Sequence, residues 1–449
     1  MIRSLLALAT ALLGLWVSNG WAWGNHSLPA YRALENMPEV ATAQPVRVES
    51  LETFLKAEET AIAALLQEQE TWAGANLDYY PARPAALAFK AQVGQTDTAR
   101  RLAFLRALRV APNSRFALYM QPDLQSPPAA ADALPYSSVN PLAEPAHTTH
   151  HFVALKAGQT VTALQVVASA SDEPDYGLDI NLWSDSPSAW GKEYGFGPLS
   201  FGNPAISYTT QSPFHMGFLH EDRVIYWAAP FLKKTFPLWR VHQYSGLAVL
   251  AWRTGHAYWG WRFAGMALHY VQDLTQPYHA SVSPGDGTMQ LLGTNALAML
   301  GMPRKKNELV VLLSNRHLAL EKYQTQLLVH AATQHQDSNV VLALRNPQRD
   351  AGYPLWSDAY TRNVVAAEAH DAGAALSETL VATLPARFVS DPSFDFGVQE
   401  AQIDLMAEMG PPGNAQRDRL DNTVAQLLAH FGTHSRNTLR GLLTAAGKH

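Results

Sequence analysis

Residues 245–281 read SGLAVLAWRTGHAYWGWRFAGMALHYVQDLTQPYHAS. Up to Tyr270 the run is apolar and rich in Ala, Leu, Trp and Gly, a pattern that predicts two buried helices broken near Thr254-Gly255. Arg253, His256 and Arg262 interrupt it, so it does not read as a membrane span. His269 and Asp273 stand four apart, which on a helix puts them on one face. Both then reach one divalent cation, and the carboxylate has a second oxygen with which to bridge to another. Pro277 stops the helix soon after Asp273, and the turn returns His279 to the same pocket. An i, i+4 His–Asp pair is often a plain hydrogen-bonded pair. Here its flanks Met266, Ala267, Leu268 and Tyr270 are apolar, so the face is expected to be buried. A buried His and Asp need partners, and a metal supplies one. Imidazole and carboxylate without thiolate suit zinc in a catalytic role.

Outward from this segment, His317 and Glu321 repeat the spacing of four on a second expected helix, 308–330. Alone they fit a solvated helix face; two such pairs in one chain point to a polynuclear site. His26 lies near the N-terminus, close to Trp23. Arg3, then the apolar run 5–17, then Gly20 and Ala22 form an export signal with cleavage after Ala22, or after Gly20. The protein is therefore expected to be exported, to the periplasm or beyond. With Trp23 as first residue, its amine and carbonyl oxygen would form a five-membered chelate that His26 completes.

The remainder bounds the answer. The chain has 449 residues, 47% hydrophobic and 16% charged, enough apolar material for a large core. Net charge is −5 and no basic run stands out, which argues against a long nucleic-acid groove. There is no cysteine, so disulfides and thiolate metal sites are excluded. Helical periodicity is expected over 28–34, 48–69, 98–110, 362–384 and 415–446. Residues 121–151 read as a Pro-rich surface loop or boundary, 172–211 as a loop with scattered aromatics, and 152–168 as a β-hairpin turning at Ala157-Gly158-Gln159. The expected architecture is mostly α, with long irregular loops.

The order Trp252, Gly255, Tyr258, Gly265, Met266, His269, Tyr270, Asp273, Pro277, Tyr278, His279 resembles the core of bacterial zinc-dependent phospholipase C of the alpha-toxin catalytic-domain type. The H-x3-D-x5-H pattern with Gln-Pro before the last His is shared with S1/P1 nucleases. The resemblance is clear over roughly 40 residues. It implies a helical domain over 23–449 with insertions around 121–160 and 176–214, and three zinc ions. Trp23 (or Trp21), His26 and Asp273 would serve one ion, with Asp273 bridging to a second that His269 binds. His279, His317 and Glu321 would hold the third. The resemblance further implies an Asp and a His upstream. Pro174-Asp175-Tyr176 and His215 match them, with Asp172 and Asp179 competing for the first role and His220 for the second. The spacings 175–215 and 279–317 are longer than the family's. His147, His150 and His151 read as a solvated loop, and His256 as a helix-side partner, not a ligand.

The implied activity is hydrolysis of phosphodiesters, most of all phospholipid head-group esters. A water between the ions of His269, Asp273 and Asp175 would attack phosphorus in line, with Asp175 orienting or deprotonating it. Glu321 and the 252–279 string favour the lipase branch over a single-strand nuclease or 3′-nucleotidase. Peripheral membrane contact, without a transmembrane span in the mature chain, goes with that branch. A metal-storing helical protein is the non-enzymatic alternative.

Overall fold

The computed structural model describes residues 24–126, 133–144, 151–202, 204 and 207–447. The expected signal segment 1–22, Trp21, Trp23, His147 and His150 lie outside them. Helices dominate. Those that build the site are, in chain order, α1 (Ser27–Leu34), α2 (Ala163–Ala170), α3 (Ser212–His215), α4 (Arg223–Ala228), α5 (Pro237–Arg253), α6 (Ala257–Asp273), α7 (Pro277–Ala280), α8 (Thr288–Met299), α9 (Arg304–Thr333) and α10 (Ala415–Ala445).

The sequence dictates the central pair. Pro237 opens α5 at a first-turn position, where its missing N–H costs nothing. Gly255 ends it with φ +89°, a left-handed conformation that glycine adopts without strain. The chain reverses, and α6 packs back along α5. From Tyr258 to Asp273 every residue of α6 is buried. Its other faces meet α2 and α10. Gly265 permits the first of these contacts: a Cβ there would lie 2.4 Å from the Val167 carbonyl oxygen. One apolar core cluster draws residues from Leu28 to Leu443, so both ends of the described chain pack into it.

Two small antiparallel sheets complete the frame. Strand β1 (Val46–Arg47) pairs with β5 (Thr160–Val161), and β4 (Phe152–Ala154) lies between β2 (Tyr119–Met120) and β3 (Ala133–Leu134). The hairpin expected over 152–168 does not form. The chain does turn at Gly158 (φ +84°), but Gly158 N and Gln159 O bond to Val48, so the returning strand joins β1 instead of β4. Residues from 163 form α2, started by a capping box of Thr162 and Gln165. The expected helix 48–69 is two helices, Leu51–Ala57 and Glu59–Asn76. The segment expected as loop from 172 is irregular yet interior. Residues 171–183 are buried throughout, and Trp183, Tyr194 and Phe196 pack against Phe214, Phe236 and Trp239. Aromatic side chains, not secondary structure, hold it inside.

Candidate metal centre

Four segments are brought onto the end of α6 by identifiable contacts. After α2, a 3₁₀ turn (Glu173–Asp175) is clamped to α6 by a bidentate ion pair: Arg262 Nε and Nη2 donate to the two Glu173 oxygens at 2.8 and 2.6 Å. That clamp sets Asp175. Asp172, in the same turn, accepts from the backbone N–H groups of His26 (2.5 Å) and Ser27 (3.2 Å). It so supplies the anion that the first turn of α1 lacks in its own sequence, and seats His26. His215 ends α3, whose Phe214 is locked in the aromatic cluster. Pro277 opens α7, capped by the Gln276 side chain, and carries His279. His317 and Glu321 project from the middle of α9.

His26, Asp175, His215, His269, Asp273, His279, His317 and Glu321 are all buried. They fall into three groups whose donor atoms lie within 4.8 Å of one another: His26, Asp175 and His269; His215, His269 and Asp273; His279, His317 and Glu321. His269 is shared by the first two. Asp273 stands between the groups, with Oδ2 3.0 Å from His215 Nδ1 and 3.3 Å from His269 Nε2, and Oδ1 3.4 Å from His26 Nε2 and 3.7 Å from His279 Nδ1. In the third group His317 Nε2 lies 2.7 Å and His279 Nε2 3.6 Å from Glu321 Oε1, with the two nitrogens 3.1 Å apart.

The outer nitrogens of three histidines meet oxygen acceptors. His26 Nδ1 is 3.0 Å from Gln272 Oε1, and His269 Nδ1 is 2.7 Å from the Ser171 carbonyl. His279 Nδ1 is 2.9 Å from the His215 carbonyl. Each contact favours a proton on the outer nitrogen and leaves the inner lone pair aimed at the cluster. This is the arrangement of metal-binding histidines. Nitrogens then face nitrogens: His269 Nε2 and His215 Nδ1 are 2.9 Å apart. His26 Nε2 and Asp273 Oδ1 are buried without a hydrogen bond.

The electrostatics point the same way. Asp175, Asp273 and Glu321 meet histidines and glutamines; among the described residues none of the three is paired with Lys or Arg. Burial pushes Asp175 up to about 7. Burial opposes charge on His26, but the facing Asp273 outweighs it and raises His26 to about 9. His215 rises to about 10, where Asp179 and Asp273 outweigh burial. Burial holds His269 well below its ordinary value. In the chain without metal, protons on His26 and His215 offset the carboxylates. A divalent cation held by the same donors would fill that role and displace those protons. Buried nitrogen and oxygen donors of this kind can hold metal ions, and they suit a borderline divalent cation.

Eight of the nine expected ligands thus converge, and Trp23 lies outside the described residues. Its neighbour Gly24 is packed against α9, where a Cβ would lie 2.6 Å from Thr325 Oγ1. The competitors are placed elsewhere. Asp172 caps α1. Asp179 accepts from Arg240 Nε (2.9 Å) and Nη2 (2.5 Å) and from the Tyr270 hydroxyl (2.6 Å). His220 Nε2 meets the Arg362 carbonyl, His256 sits between Glu49 and Glu58, and His151 is exposed. The sequence reading missed the supporting residues Glu173, Arg240, Arg262, Gln272 and Gln276, the last of which donates to Glu321 at 3.2 Å. For three of them the signal was present: Gln272 and Gln276 stand one residue before and three after Asp273, and Arg262 seven before His269 inside an otherwise apolar run. No family model, curated protein or solved structure matches the chain.

Proposed function

We propose that the protein is a zinc-dependent phosphodiester hydrolase that cleaves phospholipid head-group esters in the manner of phospholipase C, with three zinc ions held by the three donor groups. The observation that carries this reading is the set of buried imidazoles gathered around Asp273 and Glu321, three of them with the outer nitrogen against an oxygen. In this reading Trp23, made the first residue by signal cleavage, binds the ion of His26 and Asp273, as the resemblance implies. Export to the periplasm or beyond belongs to the same reading.

Zinc bound there supplies a Lewis acid for phosphoryl oxygen and lowers the pKa of water toward neutrality. The chain does the rest. Asp175, its Oδ1 held by Gln211 Nε2 at 2.9 Å, orients the attacking water and takes its proton. Asp273 fixes the spacing between donor groups by using both of its oxygens. Gln276 keeps Glu321 turned toward His279 and His317. The buried walls exclude bulk water, so these charges act in a medium of low polarity. Glu321, together with the 252–279 string that resembles the lipase branch, favours phospholipid over nucleotide.

The test is hydrolysis by the mature protein with and without chelator, on phosphatidylcholine vesicles, single-stranded DNA and 3′-AMP in parallel. Chelator-sensitive release of phosphocholine is the expected result. Cleavage of the nucleotide substrates alone would move the activity to the nuclease branch with the same donors. Inertness toward all three, with zinc bound, would overturn the reading.

A further inference from the structure

Between His279 and His317 the chain forms a helical hairpin, α8 and the first half of α9, that carries none of the metal donors. Met289, Gly293, Ala296 and Leu300 recur at steps of four, three and four, and so form one stripe along α8; all four are exposed. Met289 is 80% and Leu300 75% exposed. A surface helix ordinarily turns charged residues to water. This one turns an apolar stripe outward, contains no charged residue and buries none of its side chains. Beside it α4, which packs on α8, exposes Trp227 to 83%.

The hairpin's turn leads into Arg304-Lys305-Lys306 in the first turn of α9. Cations are unfavourable there, because the helix dipole already places positive charge at its N-terminus. From 287 to 307 there is no Asp or Glu, and Glu308, the first acid beyond, is ion-paired with Arg304 (2.7 Å). The whole chain carries −5, so this positive end is a local feature. Among the described residues no helix is long and apolar enough to cross a membrane. With 12 residues, α8 is about 18 Å long, short of a bilayer core of about 30 Å. Lying flat, an apolar stripe that ends in the exposed cations Arg304 and Lys305 matches an anionic lipid interface.

We propose that the outer face of α8, with Arg304 and Lys305 at its end, seats the protein on an anionic phospholipid bilayer. The relevance of this to lipid hydrolysis rests on the phosphodiesterase reading; the docking itself does not. His317 lies thirteen residues beyond Arg304 on α9, so the metal centre stands about 20 Å from the docked turn.

The experiment is co-sedimentation of the mature protein with phosphatidylcholine vesicles, with and without phosphatidylglycerol. It compares wild type with Arg304→Gln/Lys305→Gln and with Leu300→Ser/Met302→Ser, Met302 being 52% exposed just beyond the end of α8. Turnover of a soluble monomeric phosphodiester is read alongside. Wild type is expected to partition to the phosphatidylglycerol vesicles. The charge variant should bind on the order of 25-fold more weakly, at about fivefold per cation. The apolar variant should also bind more weakly, with soluble turnover unchanged in both. Equal vesicle binding by all three proteins would overturn the proposal. So would no binding by wild type, or a wild-type dimer that Leu300→Ser/Met302→Ser dissolves, since a second copy would then occupy the face. Vesicle binding without turnover of any phosphodiester would support the docking surface and overturn the phosphodiesterase reading.

Discussion

Replacing Asp179 by Asn separates two jobs that one buried carboxylate performs. It pairs with Arg240 through Oδ1, and its Oδ2 accepts from Tyr270 and faces His215 Nε2 at 3.5 Å. Breaking a buried ion pair from one side costs about 3–5 kcal/mol. Arg240 keeps three neutral acceptors, the Leu108 and Arg109 carbonyls and Gln243 Oε1, so the low end applies, about 3 kcal/mol. Loss of the charge behind His215 is a separate effect. Weakening the outer partner of a metal-bound histidine lowers metal affinity about 10–100-fold, or about 1.4–2.7 kcal/mol. Urea unfolding of the chelator-treated protein reads the first quantity, and competition with a chromophoric chelator reads the second. Both should fall in Asp179→Asn. Zinc affinity equal to wild type would refute the claim that the Asp179 charge behind His215 supports metal binding. Unchanged stability of the chelated protein would refute the ion-pair account.

Asp273→Asn removes the one carboxylate that stands between the donor groups. It should lose at least one zinc and nearly all turnover; full occupancy by elemental analysis with normal turnover would sink the assignment. Gly265→Ala drives a methyl to within 2.4 Å of the Val167 carbonyl, so α2 and α6 must separate, one turn before His269. A loss of about 1–3 kcal/mol in thermal unfolding is expected, with weaker zinc binding; wild-type values for both would show that the helices do not approach this closely. Glu368 offers a pH test away from the site. Burial works to raise it, but His434, His430 and Tyr353 outweigh burial and hold it at about 2, below its ordinary 4.5. Its stabilising contribution is therefore complete above about pH 4.5 and is lost as pH falls toward 2. With its side chain 28% exposed, solvent screening reduces that contribution to about 1–2 kcal/mol. Glu368→Gln should be less stable than wild type by this amount near pH 5 and nearly equal to it near pH 2, by urea unfolding of chelated protein; a deficit constant between these would contradict the assignment.

Helix identity and the metal donors were legible for different reasons. The break between α5 and α6 is written in Gly255, and the end of α6 in Pro277. His269 with Asp273 and His317 with Glu321 announce themselves by spacing alone. The break at Glu58 was not legible, because no Gly or Pro marks it and only tertiary packing bends the chain there. Helix α8 was missed since its outward face is apolar, which erases the periodic contrast between core and solvent on which a helix is recognised. The pairing of β5 with β1 depends on a contact across more than a hundred residues, invisible to a local turn signal. Choosing among Asp172, Asp175 and Asp179 likewise needed three dimensions. All three are buried within one short segment, and only their partners, two backbone amides, a set of imidazoles and an arginine, tell them apart.

The central claim is that the eight buried donors hold metal. Elemental analysis of the mature protein, purified without chelator and equilibrated with zinc, tests it most directly. Three zinc ions per chain, one for each donor group, are predicted, with loss of the bound metal in acid or chelator. A folded protein that retains no divalent metal after equilibration would contradict the account, because the inward lone pairs around Asp273 would then have to be satisfied by protons alone.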